Sequence, residues 1–164
     1  MSKLDQDLQY LDAGLSELQD YLLSKVLYWT ISASASLPPL TLGGLLLARQ
    51  RLGPRADAQA AQIELLRSKW RTAWDTKASH EVRMRGDLWM NYLQDYRGSP
   101  ESHVSEYAQQ IRNRAMLVLL GEESDPLDES AEGSMFVAGD FVWESECAQY
   151  FPRDTFWFLY GKLK

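Results

Sequence analysis

The amino-acid sequence predicts an all-α fold: an antiparallel helical bundle over residues 1–121 with one long helix, an acidic linker at 122–133, and an aromatic segment at 134–164 of short helices or irregular backbone packed on the bundle. Three observations carry that expectation. Leu4, Leu8, Leu11, Leu15, Leu18 and Leu22 recur at spacings of four and three, the period of a helix with one apolar face. Gly53–Pro54 and Gly98–Ser99–Pro100 punctuate the chain as helix stops and starts do. Nine of the nineteen aromatic residues fall in the last thirty-one positions. Side chains of that size contribute roughly 1.5–3 kcal/mol each when fully buried, so such a tail docks. A chain of 164 residues fits one domain.

The first helix is expected over about Lys3–Ile31, because Val26 and Trp29 continue the leucine seam. Ser2 and Asp5 stand at capping-box spacing, and Asp5 and Asp7 complement the positive helix N-terminus. A covered Ser/Ala loop through Pro38 and Pro39 follows, then a short helix capped by Thr41 and stopped by Gly53. Gly43 and Gly44 leave room for a neighbouring helix near Gly14 or Tyr21 to approach closely. They lack the spacing and the Lys-Ser/Thr of a phosphate-binding loop.

Asp57 caps a segment reaching about Arg97 that reads as one long helix, with a break near Ser79 or Gly86 left open, and with Ile63, Leu66, Trp70, Trp74, Ala78, Val82, Trp89, Leu93 and Tyr96 on its apolar stripe. The opposite charges four residues apart, Arg71/Asp75, Lys77/Glu81, Glu81/Arg85 and Arg83/Asp87, predict a wet middle to that helix. Ser99 and Pro100 start a fourth helix that closes at Gly121. In the aromatic tail, residues 136–143 admit a hairpin about Gly139–Asp140, but short helices and irregular backbone are the preferred expectation.

Composition narrows the function classes. A formal charge of −6 and a pI near 4.9 disfavour non-specific binding to nucleic acid or to an anionic membrane surface. Val26–Ala48 is uncharged for twenty-three residues, long enough to span a bilayer, yet Pro38, Pro39, Gly43, Gly44 and five Ser/Thr residues argue against a membrane role. No apolar signal core opens the chain, and one cysteine fits a reducing, cytoplasmic setting.

Catalytic, metal and cofactor residues do not emerge from the sequence. His80 and His103 lack partners at zinc spacing, although His103 and Glu106 share a helical turn. Cys147 sits between Glu144 and Glu146, whose charge disfavours a thiolate, so it is expected as a buried small hydrophobe. The charge distribution is uneven: residues 49–97 carry a net +4, against −7 for residues 98–164. Arg49, Arg51, Arg55, Arg67, Lys69 and Arg71 form the candidate surface for an acidic protein partner. The expected function is a non-enzymatic interaction or scaffold protein that self-associates through apolar helix faces. The alternative is a small-ligand or catalytic pocket lined by Trp143, Tyr150, Phe156, Trp157 and Tyr160 against the helix ends.

Overall fold

A computed structural model describes residues 2–121 and 132–164 and shows a mostly helical protein with a small two-stranded sheet. The acidic run at 122–131 lies outside the described residues. The chain divides into two compact units, Met1–Glu81 and Val82–Lys164.

In the first unit, α1 (Lys3–Leu23) starts on the expected capping box: the Ser2 hydroxyl accepts from the Asp5 amide, and the Asp5 carboxylate accepts from the Ser2 amide. It stops eight residues earlier than the expected Ile31. Ser24 donates its hydroxyl to the Tyr21 carbonyl, a local bond that competes with the helical one, and the aromatic and β-branched run that follows is a weak helix former. Trp29 instead pairs with Leu40 through two backbone hydrogen bonds, closing the Ser/Ala loop at its base.

Next comes α2 (Leu42–Leu52), with Thr41 Oγ1 accepting from the Gly44 amide as the expected cap. Gly53, at φ 57°, ends it in a conformation that glycine adopts without steric cost. The helix runs antiparallel to α1, as Leu45 packs at Gly14 while Arg51 reaches back to Asp7. The expected close approach is present: Gly44 lies against the Tyr10 hydroxyl, and a Cβ at Gly14 would meet Leu40 and Leu45 side-chain carbons at 3.0 Å. A 3-10 turn at Gly53–Ala56 leads into α3 (Asp57–Lys69), with Asp57 in its first turn rather than at its cap. α3 runs alongside α1 in the same direction, with Arg55 at Asp5 and Gln59 at Asp12.

The expected single helix over 57–97 is two helices. Trp70 leaves helical geometry at φ −116°, ψ 45°, and α4 (Arg71–Gly98) begins at the next residue. Nothing in the local sequence explains the break at this position. The apolar stripe itself is as expected, with Ile63, Trp74, Ala78, Trp89, Leu93 and Tyr96 buried. The wet middle is not. Lys77, Glu81 and Arg85, one turn apart on α4, are only 6%, 0% and 7% exposed, whereas Arg71, Asp75, Arg83 and Asp87 face solvent.

In the second unit, α5 (Pro100–His103) passes through a 3-10 turn at Val104–Glu106 into α6 (Tyr107–Leu119). Val104, in the 3-10 turn, is 56% exposed. The aromatic segment contains the expected short helical turns, at Ser145–Tyr150 and Trp157–Leu159. It also contains a strand, β1 (Phe136–Phe141), paired antiparallel not with its sequence neighbour but with β2 (Tyr160–Leu163). At Gly161 a Cβ would collide with the Val137 carbonyl oxygen, so this register demands glycine.

Candidate functional site

In the first unit, the turn after α1 is fixed by a buried ammonium. Lys77 Nζ donates to the carbonyls of Ser24 (2.8 Å) and Val26 (2.7 Å) and stands 4.4 Å over the Tyr21 ring. Burial pushes the Lys77 pKa down, and the two carbonyls and the ring face are what favour the charged form there. The Tyr21 hydroxyl donates to Leu27 O at 2.7 Å, so this turn is held at three carbonyls. Yet its apolar side chains point outward: Leu23, Val26 and Tyr28 are each about half exposed. One turn further along α4, Glu81 Oε2 accepts the Gly43 amide at 2.9 Å in the first turn of α2, where the helix dipole favours a carboxylate.

Beyond that turn the Ser/Ala loop lies across the outer face of α1. Glu17 holds it there, accepting from Trp29 Nε1 (3.1 Å) and from the Ser32 amide (3.1 Å); the Trp29 bond is the largest cause of its lowered pKa. Between loop and helix opens a groove of about 620 Å³ lined by Asp5, Leu8, Gln9 and Asp12 of α1 and by Ala33 and Leu37 of the loop. That volume falls within the roughly 300–1,000 Å³ of ligand and side-chain recognition sites. Asp5 at its rim is paired with Arg55 at 3.3 Å and with Ser2, which lower its pKa, Ser2 most. Among the described residues, the hydrogen-bond partner of Asp12 is the neutral amide of Gln59, at 3.0 Å. The signal for this groove was in the sequence, in Leu8 and Asp12 one turn apart on α1, but only the loop's return over α1 turns that face into a site.

The six basic residues separate into two groups. Arg49 pairs with Glu64 (2.9 Å), Arg55 with Asp5, and Arg51, 1% exposed, with Asp7 (2.9 Å). These three charges are spent within the molecule. Arg67 and Lys69 instead lie over the Trp74 and Trp70 rings, and Arg71 is exposed at the start of α4.

In the second unit, the candidate pocket residues lie in one aromatic cluster. Phe156 meets Phe151 edge-on at 5.0 Å, Trp143 meets Phe151 at 5.6 Å, and Trp157 meets Phe136 at 5.0 Å. The Tyr160 hydroxyl donates to Phe151 O at 2.6 Å and Tyr160 lies 5.2 Å from Phe141, while Tyr150 is half-buried at the end of a 3-10 turn. The rings contact one another, the arrangement of a packed core. Three tyrosines close the other side: Tyr92 donates to His103 O, Tyr96 to Leu163 O and Tyr107 to Phe158 O. Burial pushes the Tyr92 pKa up to about 12 and raises that of Tyr107 further. Glu132 ties the segment that follows the acidic run, accepting from Arg114 Nε (2.7 Å) and Trp89 Nε1 (3.1 Å).

The single cysteine and His103 stand apart from each other in sequence and setting. Cys147 is buried, and His103 Nδ1 lies 3.6 Å from Glu106 at the surface. Among the described residues no group of three or more His, Cys, Asp or Glu side chains is placed to hold a metal ion. Among the same residues no helix is long and apolar enough to cross a membrane; Val26–Ala48 is divided between the loop and α2. No family model, no curated protein and no solved structure matches this chain.

Proposed function

We propose that this chain is a non-enzymatic interaction or scaffold protein of the cytoplasm that associates with itself through apolar helix faces. The supporting observation is Leu65, which stands 71% exposed on α3, the most exposed of the large hydrophobic side chains in the described residues. Removing a leucine of that exposure from water contributes roughly 1.5–3 kcal/mol, an affinity a partner surface gains without rearrangement of the fold. Leu23, Val26 and Tyr28 are also exposed, on the turn that Lys77 fixes in place. Among the six basic residues, Arg67, Lys69 and Arg71 are those with no carboxylate partner among the described residues, so they are the part of the basic surface open to an acidic partner.

The test is the mass of the protein in solution from micromolar to millimolar concentration, by light scattering and sedimentation velocity. A mass that rises with concentration to a defined oligomer is expected. A monomer throughout that range refutes self-association.

A further inference from the structure

Two surfaces of the first unit match each other, and we infer that α3 of a second copy lies in the groove on α1, with Leu65 against Leu8 and Leu37 and the Lys69 ammonium opposite Asp12. The inference rests on the self-association reading and names its interface. The outward face of α3 carries Ala58, Ala61, Leu65 and Lys69, all exposed and spaced three or four apart, so they form one stripe. Its two alanines let another helix approach closely, Leu65 is its knob, and Lys69 is its charge. The groove answers in kind. Leu8 and Asp12 are also four residues apart on α1, so a helix laid parallel to α1 brings apolar to apolar and cation to anion at the same spacing.

Charge decides which carboxylate is engaged. Asp5 already has Arg55 and Ser2, whereas the partner of Asp12 is a neutral amide. On the other side, Lys69 lies over the Trp70 ring, 5.6 Å from its centroid, and has no carboxylate partner among the described residues. Arg67 lies over Trp74, toward the buried side of α3 that also carries Ile63, and is not part of the stripe. The contact joins two different surfaces, so it is heterologous, the groove of one copy taking the stripe of the next.

The experiment uses the full chain in three forms: wild type, Leu65→Asp and Asp12→Lys. Both substituted side chains are exposed, so the variants keep the wild-type circular dichroism spectrum and melting behaviour. Sedimentation equilibrium is expected to show each variant dissociating at least about tenfold more readily than wild type, the factor that corresponds to a loss of about 1.4 kcal/mol. An equimolar mixture is expected to regain dimer, since a Leu65→Asp groove still accepts an Asp12→Lys stripe. A wild type that self-associates while both variants do so equally well overturns this interface and leaves self-association standing, above all if Tyr28→Ser disrupts the oligomer instead. A wild type that is monomeric at every concentration removes both.

Discussion

Replacing Lys77 with Met is expected to destabilise the protein by about 2 kcal/mol, and the figure follows from the contacts of one nitrogen atom. Lys77 Nζ makes two short bonds, to Ser24 O and Val26 O, and a longer one of 3.3 Å to Ser24 Oγ. Hydrogen bonds to a charged group contribute about 1.5–3 kcal/mol each, and the low end applies because the carbonyls belong to a half-buried and an exposed residue and regain water. Two such bonds give about 3 kcal/mol. Against this, the methionine sulfur makes a contact of about 0.3–1.5 kcal/mol with the Tyr21 ring in place of the cation, which leaves a net of about 2 kcal/mol. The net loss corresponds to a melting temperature lower by about 4–8 °C for a chain of this size. Urea titration followed by tryptophan fluorescence reads it, with Lys77→Arg as the variant that keeps the charge. A Lys77→Met protein as stable as wild type, or more so, refutes the reasoning: the ammonium would then cost as much to desolvate as its carbonyl partners return.

Gly161→Ala is expected to destabilise the β1–β2 pairing by about 1–3 kcal/mol, because its Cβ meets the Val137 carbonyl and the backbone has to shift. Urea unfolding checks this, and Gly86→Ala, at a helical position with nothing near the added carbon, is the control that should be neutral or stabilising. The buried tyrosines predict alkaline sensitivity. Their pKa values are raised above the unfolded value of 10, so the stability they contribute is complete below pH 10 and is lost as pH climbs through about 12, where Tyr92 ionises. Tyrosinate absorbance recorded beside circular dichroism should show these residues titrating late and together with unfolding; ionisation at the ordinary value in a folded protein refutes it.

The unit-one groove and the α3 stripe change how the basic segment at 49–71 reads. As a linear pattern it is a run of arginines and a lysine, and half of those charges are paired within the molecule, with Glu64, Asp7 and Asp5. What remains is smaller and more directed: a leucine and a lysine on one helix face. The aromatic tail reads differently as well, because its rings contact one another and the hydroxyls of Tyr92, Tyr96, Tyr107 and Tyr160 end on backbone carbonyls.

The sequence alone determined the helix starts and stops that depend on neighbours within four residues. The Ser2–Asp5 capping box, the Thr41 cap, the Gly53 stop and the Pro100 start are where their chemistry places them, because a cap is a bond between a side chain and an amide close by in the chain. Tertiary structure decided the rest. Charges at Lys77, Glu81 and Arg85 have the same four-residue spacing as the exposed Arg83 and Asp87, and spacing carries no record of which side of a helix another segment will cover. Whether such a charge is tolerated inside depends on partners far along the chain: the Ser24 and Val26 carbonyls for Lys77, the Gly43 amide for Glu81, the Asn113 side chain for Arg85. The pairing of β1 with β2 across the intervening turns is of the same kind, a long-range contact that residues 136–141 do not encode by themselves.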